Sequence, residues 1–253
     1  MNYINNICLA DLKTLFLRFR EDENYTLVIP SVAIGNVGQL ACDLMVSSLQ
    51  MRKIAVVHSP ALIPVAGHDP YELGSRKISA CCELYQSEEK KVLIMLSRAP
   101  LVYKYAEQFL TEVVQKFKAE NVKDIIILTS SFAHEKKHIM TSPFRYVVNE
   151  WCPHTSKIQA LEWVPHDSPM PILKIHGGGF SSLLYEIIKK ERVPCLVIYK
   201  FTSEGDNVPD AYEMAQYLNA IVHLFEETDF YSKLRHPVSW NLLYGGPPPK
   251  DIY

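Results

Sequence analysis

His134-Glu135-Lys136-Lys137-His138 has the spacing of a zinc-protease helix, with two imidazoles one turn apart and a carboxylate between them as base. That chemistry needs a long helix with an apolar stripe behind the ligands. Here Ser130 and Ser131 come just before the motif, and Thr141-Ser142-Pro143 stops any helix within a turn of His138. No third ligand is evident, so the segment reads as a charged loop or short surface helix. No metal is expected.

His176-Gly177-Gly178-Gly179 has the form of a lipase oxyanion loop, which works only with a GxSxG nucleophile elbow, and the chain contains none. The glycines then make a tight strand-to-helix turn, with Ser181 or Ser182 capping the helix that follows. A second glycine turn, Gly35 to Gly38, sits between an apolar strand at 26–30 and a striped helix. A phosphate loop would need Lys and Ser or Thr where Gln39 and Leu40 stand, and a dinucleotide turn would need a third glycine. The polar turn Thr202–Asn207 holds Glu204, Gly205 and Asp206, and it leads into Pro209 and Asp210, residues suited to a first helical turn. Paired carboxylates there would need a pocket to do acid–base work. Gly35, Gly38, Gly177, Gly178, Gly179 and Gly205 are therefore expected to serve turns, and no catalytic or cofactor-binding residue is assigned.

The elements that hold these turns alternate in type. Strand-like runs cover 53–58, 91–97, 124–129 and 193–201, and 79–86 suggests a further strand, antiparallel at the sheet edge. Helical stripes are formed by Val37, Leu40, Ala41, Leu44, Met45 and Leu49, and by Ala106, Phe109, Leu110, Val113, Val114 and Phe117. Two more are Phe180, Leu183, Leu184, Ile187 and Ile188, and a run from Ala211 through Met214, Leu218 and Ile221 to Phe225. Apolar runs such as Ile125–Leu128 suit strands covered on both faces. The pattern predicts one α/β domain over 1–237, with a largely parallel or mixed sheet flanked by helices. An extended tail is expected over 238–253.

A net charge of −2 without a basic block points away from nucleic acid and anionic membranes. The apolar runs are too short to span a bilayer, and the first residues lack the pattern of a signal peptide. Cys8, Cys42, Cys81, Cys82, Cys152 and Cys195 form no CxxC pair and read as reduced thiols of a cytosolic or nuclear protein.

Five segments, in order, resemble the proteasome assembly chaperone family: PSVAIGNVGQLACDL (30–44), TSPFRYVV (141–148), GGGFSSLLYE (177–186), KFTSEGDNVPDAYEMAQYLN (200–219) and SWNLLYGGPPP (239–249). The resemblance covers most of 26–253. It implies a non-enzymatic chaperone with a nucleoside-phosphorylase-like fold that pairs with proteasome assembly chaperone 1. The pair would sit on the 20S proteasome α-ring and restrain off-pathway α-subunit dimers, in cytoplasm and nucleus and without a cofactor. It also implies a tail docking between neighbouring α subunits, through a terminal hydrophobic–Tyr–any motif. This chain ends Asp251-Ile252-Tyr253, a departure that leaves Lys250, Asp251, Ile252 and Tyr253 as candidate weak contacts. Gly245-Gly246 supplies a hinge and Pro247–Pro249 a stiff polyproline stretch of about 3 Å per residue. The competing reading is a small-molecule-binding α/β enzyme that uses the turns at 35–38 and 177–179.

Overall fold

The computed structural model describes residues 3–4, 7–11, 24–167 and 170–242. Seven strands form the body of a mixed sheet: β3 (Thr26–Pro30), β4 (Arg52–His58), β7 (Cys82–Ser87), β8 (Val92–Ser97), β9 (Asp124–Phe132), β10 (Phe144–Val148) and β11 (Cys195–Thr202). Their order is β4-β7-β8-β3-β9-β11-β10, and β2 (Ile7–Asp11) and β1 (Tyr3–Ile4) extend the sheet beside β4. Strands β8, β3, β9 and β11 run parallel, whereas β7 and β10 are antiparallel to their neighbours.

Register explains why the central runs are continuously apolar. Ile29, Ile127 and Val197 stand side by side on β3, β9 and β11 and belong to one core; Val28, Ile126 and Leu196, one residue earlier, belong to the other. Helices α2 (Tyr103–Ala119) and α4 (Ser181–Lys190) cover the first face through Phe109, Val113, Leu184 and Ile188. Helices α1 (Val37–Ser48) and α5 (Val208–Val222) cover the second through Leu44, Met45, Met214 and Leu218. Two short helices, α3 (Thr155–Ala160) and α6 (Phe230–Lys233), fill its outer end. None of the helices described is long and apolar enough to cross a membrane.

Three expectations change. The strand foreseen at 79–86 is split: β6 (Ile78–Ala80) turns away to pair with β5 (Ala66–His68), and β7 lies inside the sheet between β4 and β8. An interior place suits β7 because the buried Glu83 carboxylate is fully partnered, by Lys53 at 2.7 Å, Ser79 at 2.9 Å, the Ala80 N–H at 3.0 Å and Tyr85 at 2.7 Å. Phe225 falls beyond α5, which ends where His223 turns left-handed and the Asn219 side chain takes both backbone groups of Phe225. Neither serine caps α4: Phe180 stands at its N-cap, and the Ser182 hydroxyl instead accepts the Ile175 N–H.

Val238–Leu242, where the tail was expected to begin, is a 3-10 turn whose Ser239 N–H donates to Pro70. Lys250, Asp251, Ile252 and Tyr253 lie outside the described residues.

Candidate functional site

Strands β3, β4, β8, β9 and β11 all end at one edge of the sheet. From β3 the chain crosses by α1 over one face to β4, and from β8 it crosses by α2 over the other face to β9. Crossovers that diverge in this way leave a crevice at the carboxyl ends, where open α/β sheets hold ligands.

In this chain the backbone of 176–180 covers the carboxyl ends of β3 and β9. Ser31 donates to the Gly178 carbonyl at 2.8 Å and accepts the Phe180 N–H at 2.9 Å, and Thr129 donates to the same carbonyl at 3.0 Å. Ser131 donates to the His176 carbonyl at 2.9 Å, Ser130 to that of Ile34, and the Ile34 N–H reaches the Gly177 carbonyl at 2.9 Å. Residues 31–34, which lead into the first glycine turn, and the second turn therefore bind each other. Gly179 has φ of 59°, and a Cβ on it would lie 2.0 Å from the Val32 carbonyl oxygen; one on Gly38 would lie 2.6 Å from that of Leu128. Gly35 abuts the Asn207 side chain, Gly177 faces Phe132, Gly178 faces Ile175, and Gly205 is in open space.

The 202–207 turn is likewise tied down. Asp210, in the first turn of α5, pairs with Lys200 and accepts from Asn207 at 2.7 Å and Thr202 at 2.9 Å. Burial pushes its carboxyl pKa up, but hydrogen bonds from Lys200, Asn207 and Thr202 outweigh this and hold it below the ordinary value. Glu204 and Asp206 are exposed, and Asp206 accepts the Val208 N–H at 3.1 Å at the start of α5.

Further along the same edge the surface is open. The zinc-like motif is a single 3-10 turn, Ala133–Glu135, followed by a loop, so its histidines share no helical face. His134 stacks on Phe132, His138 points to Asp167 at 3.8 Å, and no group of metal ligands exists among the described residues. This loop and the segment leading to His176 enclose a pocket of about 330 Å³. Arg145, Lys137 and Lys174 line it, with His138, His166, His176, Glu135 and Asp167.

Exposed apolar side chains collect here and along the rest of the edge. Ile139 and Met140, 98% exposed, follow β9; Met170 and Ile172 precede the glycine turn. Beyond the crevice, Ile63 and Val65 stand on the arm after β4, near Tyr103, 94% exposed, and Tyr105 at the start of α2. Of the other large hydrophobic side chains exposed among the described residues, Leu73, Ile78, Leu161 and Tyr231 stand elsewhere. Apolar surface gathered on one side of a molecule marks a place for another protein.

Sequence reading missed this edge. Its stripes show which side chains a helix buries, but loop residues such as Ile139 and Met140 carry no period. One signal was present: Arg145 sits inside TSPFRYVV, a run whose β-branched end suits a strand and whose Arg does not.

Residues 27–230 match the model of the PAC2 family. The chain is 33% identical over 247 residues to proteasome assembly chaperone 2 of Xenopus laevis, a match covering 90% of this chain and 94% of the relative. Its fold is similar to that of a Thermoplasma acidophilum protein of unknown function, with a TM-score of 0.66 at 18% identity, over 84% of this chain and 83% of the other. It is also similar to that of Pyrococcus furiosus PbaA, described as an archaeal homologue of proteasome-assembly chaperone, with a TM-score of 0.63 at 17% identity over 83% and 87%.

Proposed function

The chain belongs to the PAC2 family, and from that premise we propose that it is a proteasome assembly chaperone that acts by binding and performs no chemistry. The observation that supports this best is the state of the carboxyl edge. The ends of β3 and β9 are covered by the chain's own turn at 176–180, and apolar side chains stand on the surface at either side. An enzyme needs the reverse, an open crevice with convergent polar groups.

In the finer reading the chain forms a heterodimer with proteasome assembly chaperone 1, promotes assembly of the 20S α-ring and keeps α subunits from pairing off pathway. An obligate interface of this kind buries more than about 2,000 Å² in total. Lys250, Asp251, Ile252 and Tyr253 add a weak contact to the α-ring. The buried free thiols Cys42, Cys81, Cys82, Cys152 and Cys195 suit a reducing compartment, and the proposed location is cytoplasm and nucleus.

The test is purification of the tagged full chain from cells. Proteasome α subunits and a second chaperone of similar size should come with it, and recovery of neither would sink the proposal. The heterodimer should also melt at a higher temperature than the chain alone. Deleting residues 251–253 should weaken capture of α-ring intermediates and leave the heterodimer intact. Unchanged affinity and dissociation rate would remove the tail from the mechanism.

A further inference from the structure

Arg145 is 5% exposed and lines the outer pocket, yet no carboxylate of the described residues lies within 4.0 Å of its guanidinium. It donates to the carbonyls of Ser142 at 2.5 Å and Phe144 at 2.7 Å and to the Thr141 hydroxyl at 2.7 Å, all neutral groups, and it stands over the Phe201 ring. Buried cations normally sit against an anion, because desolvation without a counter-charge is costly. The other buried cation of this edge, Lys200, has two: Asp210 and Glu213.

The rest of the pocket has the same bias. Lys137 and Lys174 add two exposed cations at its wall, whereas its two acids lie toward imidazoles, Glu135 at 3.6 Å from His176 and Asp167 at 3.8 Å from His138. The Nε2 atom of His166 is buried without a partner among the described residues, and Nδ1 meets the Tyr199 hydroxyl at 2.6 Å. Burial pushes the Tyr199 pKa up, so that hydroxyl keeps its proton and can donate to Nδ1. Burial lowers the His166 pKa, helped by Arg145 and Lys137 against the pull of Asp167. A neutral imidazole of this kind carries its proton on Nε2, a donor with nothing to receive it.

We propose that the Arg145 pocket receives an acidic side chain from the surface of a folded partner protein, ringed there by apolar residues that cover Ile139, Met140 and Ile172. The inference rests on the reading of this edge as a protein-binding surface and adds the anchor that gives it register. Charge complementarity selects the carboxylate. The apolar side chains select a protein surface over a small anion, which would leave them in water. They also stand on two different loops, so the anchor must enter from a surface broad enough to reach both; the end of an extended chain would cover one.

The full-length chain is purified from cells beside Lys137→Glu/Lys174→Glu, a pair of exposed changes that leave the fold alone. Thermal melting should match wild type, while recovery of one proteasome subunit or of the second chaperone should fall by about tenfold or more. Arg145→Met should lose the same protein, and if its core does not tolerate the change the exposed pair still decides. A photo-crosslinker at position 172 should attach to that protein next to an Asp or Glu, and attachment to a peptide without either overturns the anchor. Equal recovery of α subunits and second chaperone by wild type and variant sinks the pocket alone; recovery of neither by wild type sinks the proposed function with it. Inorganic phosphate and citrate are titrated into the purified chain as well. Saturable binding near micromolar, lost in Lys137→Glu/Lys174→Glu, would make this a small-anion site and overturn the proposal.

Discussion

Two parts of one sheet edge solve opposite problems. At its centre the turns at 31–38 and 176–180 are bound to each other by paired, buried polar groups, and two glycines lie where no side chain fits. A few residues away, the loops flanking Arg145 leave a buried charge without a counter-ion among the described residues and Met140 almost wholly in water. The centre is closed by the chain itself and the flank is not, although Gln39 Oε1 and Ser181 Oγ at the centre are also buried without a partner among the described residues. A chain gains nothing for its own stability by leaving such a flank open. The difference therefore separates residues that hold the fold from residues kept for a partner.

The largest expected effect is at the centre. Gly179→Val puts side-chain atoms against the Val32 carbonyl and forces a β-branched residue to a left-handed φ, a loss of about 4 kcal/mol or more. Denaturant unfolding, or failure to recover soluble chain, would register it. A variant as stable as wild type would mean that the turns are not joined as described. Ser31→Ala removes one donated and one accepted bond between the turns, and should cost about 2 kcal/mol on the same measurement.

Asp210 gives a smaller effect with a defined pH sign. Its folded pKa is lowered, so its contribution is present above the unfolded value and is lost as pH falls through the folded one. Asp210→Asn should destabilise the chain by about 1 kcal/mol at neutral pH, with the gap to wild type closing as acid protonates the carboxyl. A gap that does not narrow as the pH falls would assign the effect to packing instead.

At the flank the ranking reverses. Ile139→Ser with Met140→Ser should change unfolding free energy by no more than about 0.5 kcal/mol while reducing co-purification of partners. A clear loss of stability would move these residues to the fold-holding class and erase the contrast. Smallest of all, His134→Ala with His138→Ala should leave melting unchanged, since both side chains are exposed. Stoichiometric zinc in the purified chain, with function lost on chelation, would contradict this.

Much of the architecture was legible from the residues. The helical stripes at 37–49, 103–119 and 181–190 follow from apolar spacing, and runs such as Ile125–Leu128 announce a strand covered on both sides, because a local period reports what one element buries. That His134–His138 would not lie on one long helix was legible too, since Ser130, Ser131 and Pro143 flank it closely. Pairing across distance was not. Nothing near 79–87 reveals that β7 sits inside the sheet, because its place depends on Lys53, from a strand 30 residues earlier, reaching Glu83.

The sequence by itself determined the elements, the turns and the family, all of which are written in short stretches of chain. Only the tertiary structure decided that residues 31–34 close on the turn at 177–180. It also decided that Arg145 lies buried beside two exposed loops. Both facts are contacts between residues far apart in the chain, formed when sheet crossovers bring strand ends to a common edge, and no local pattern encodes which ends will meet.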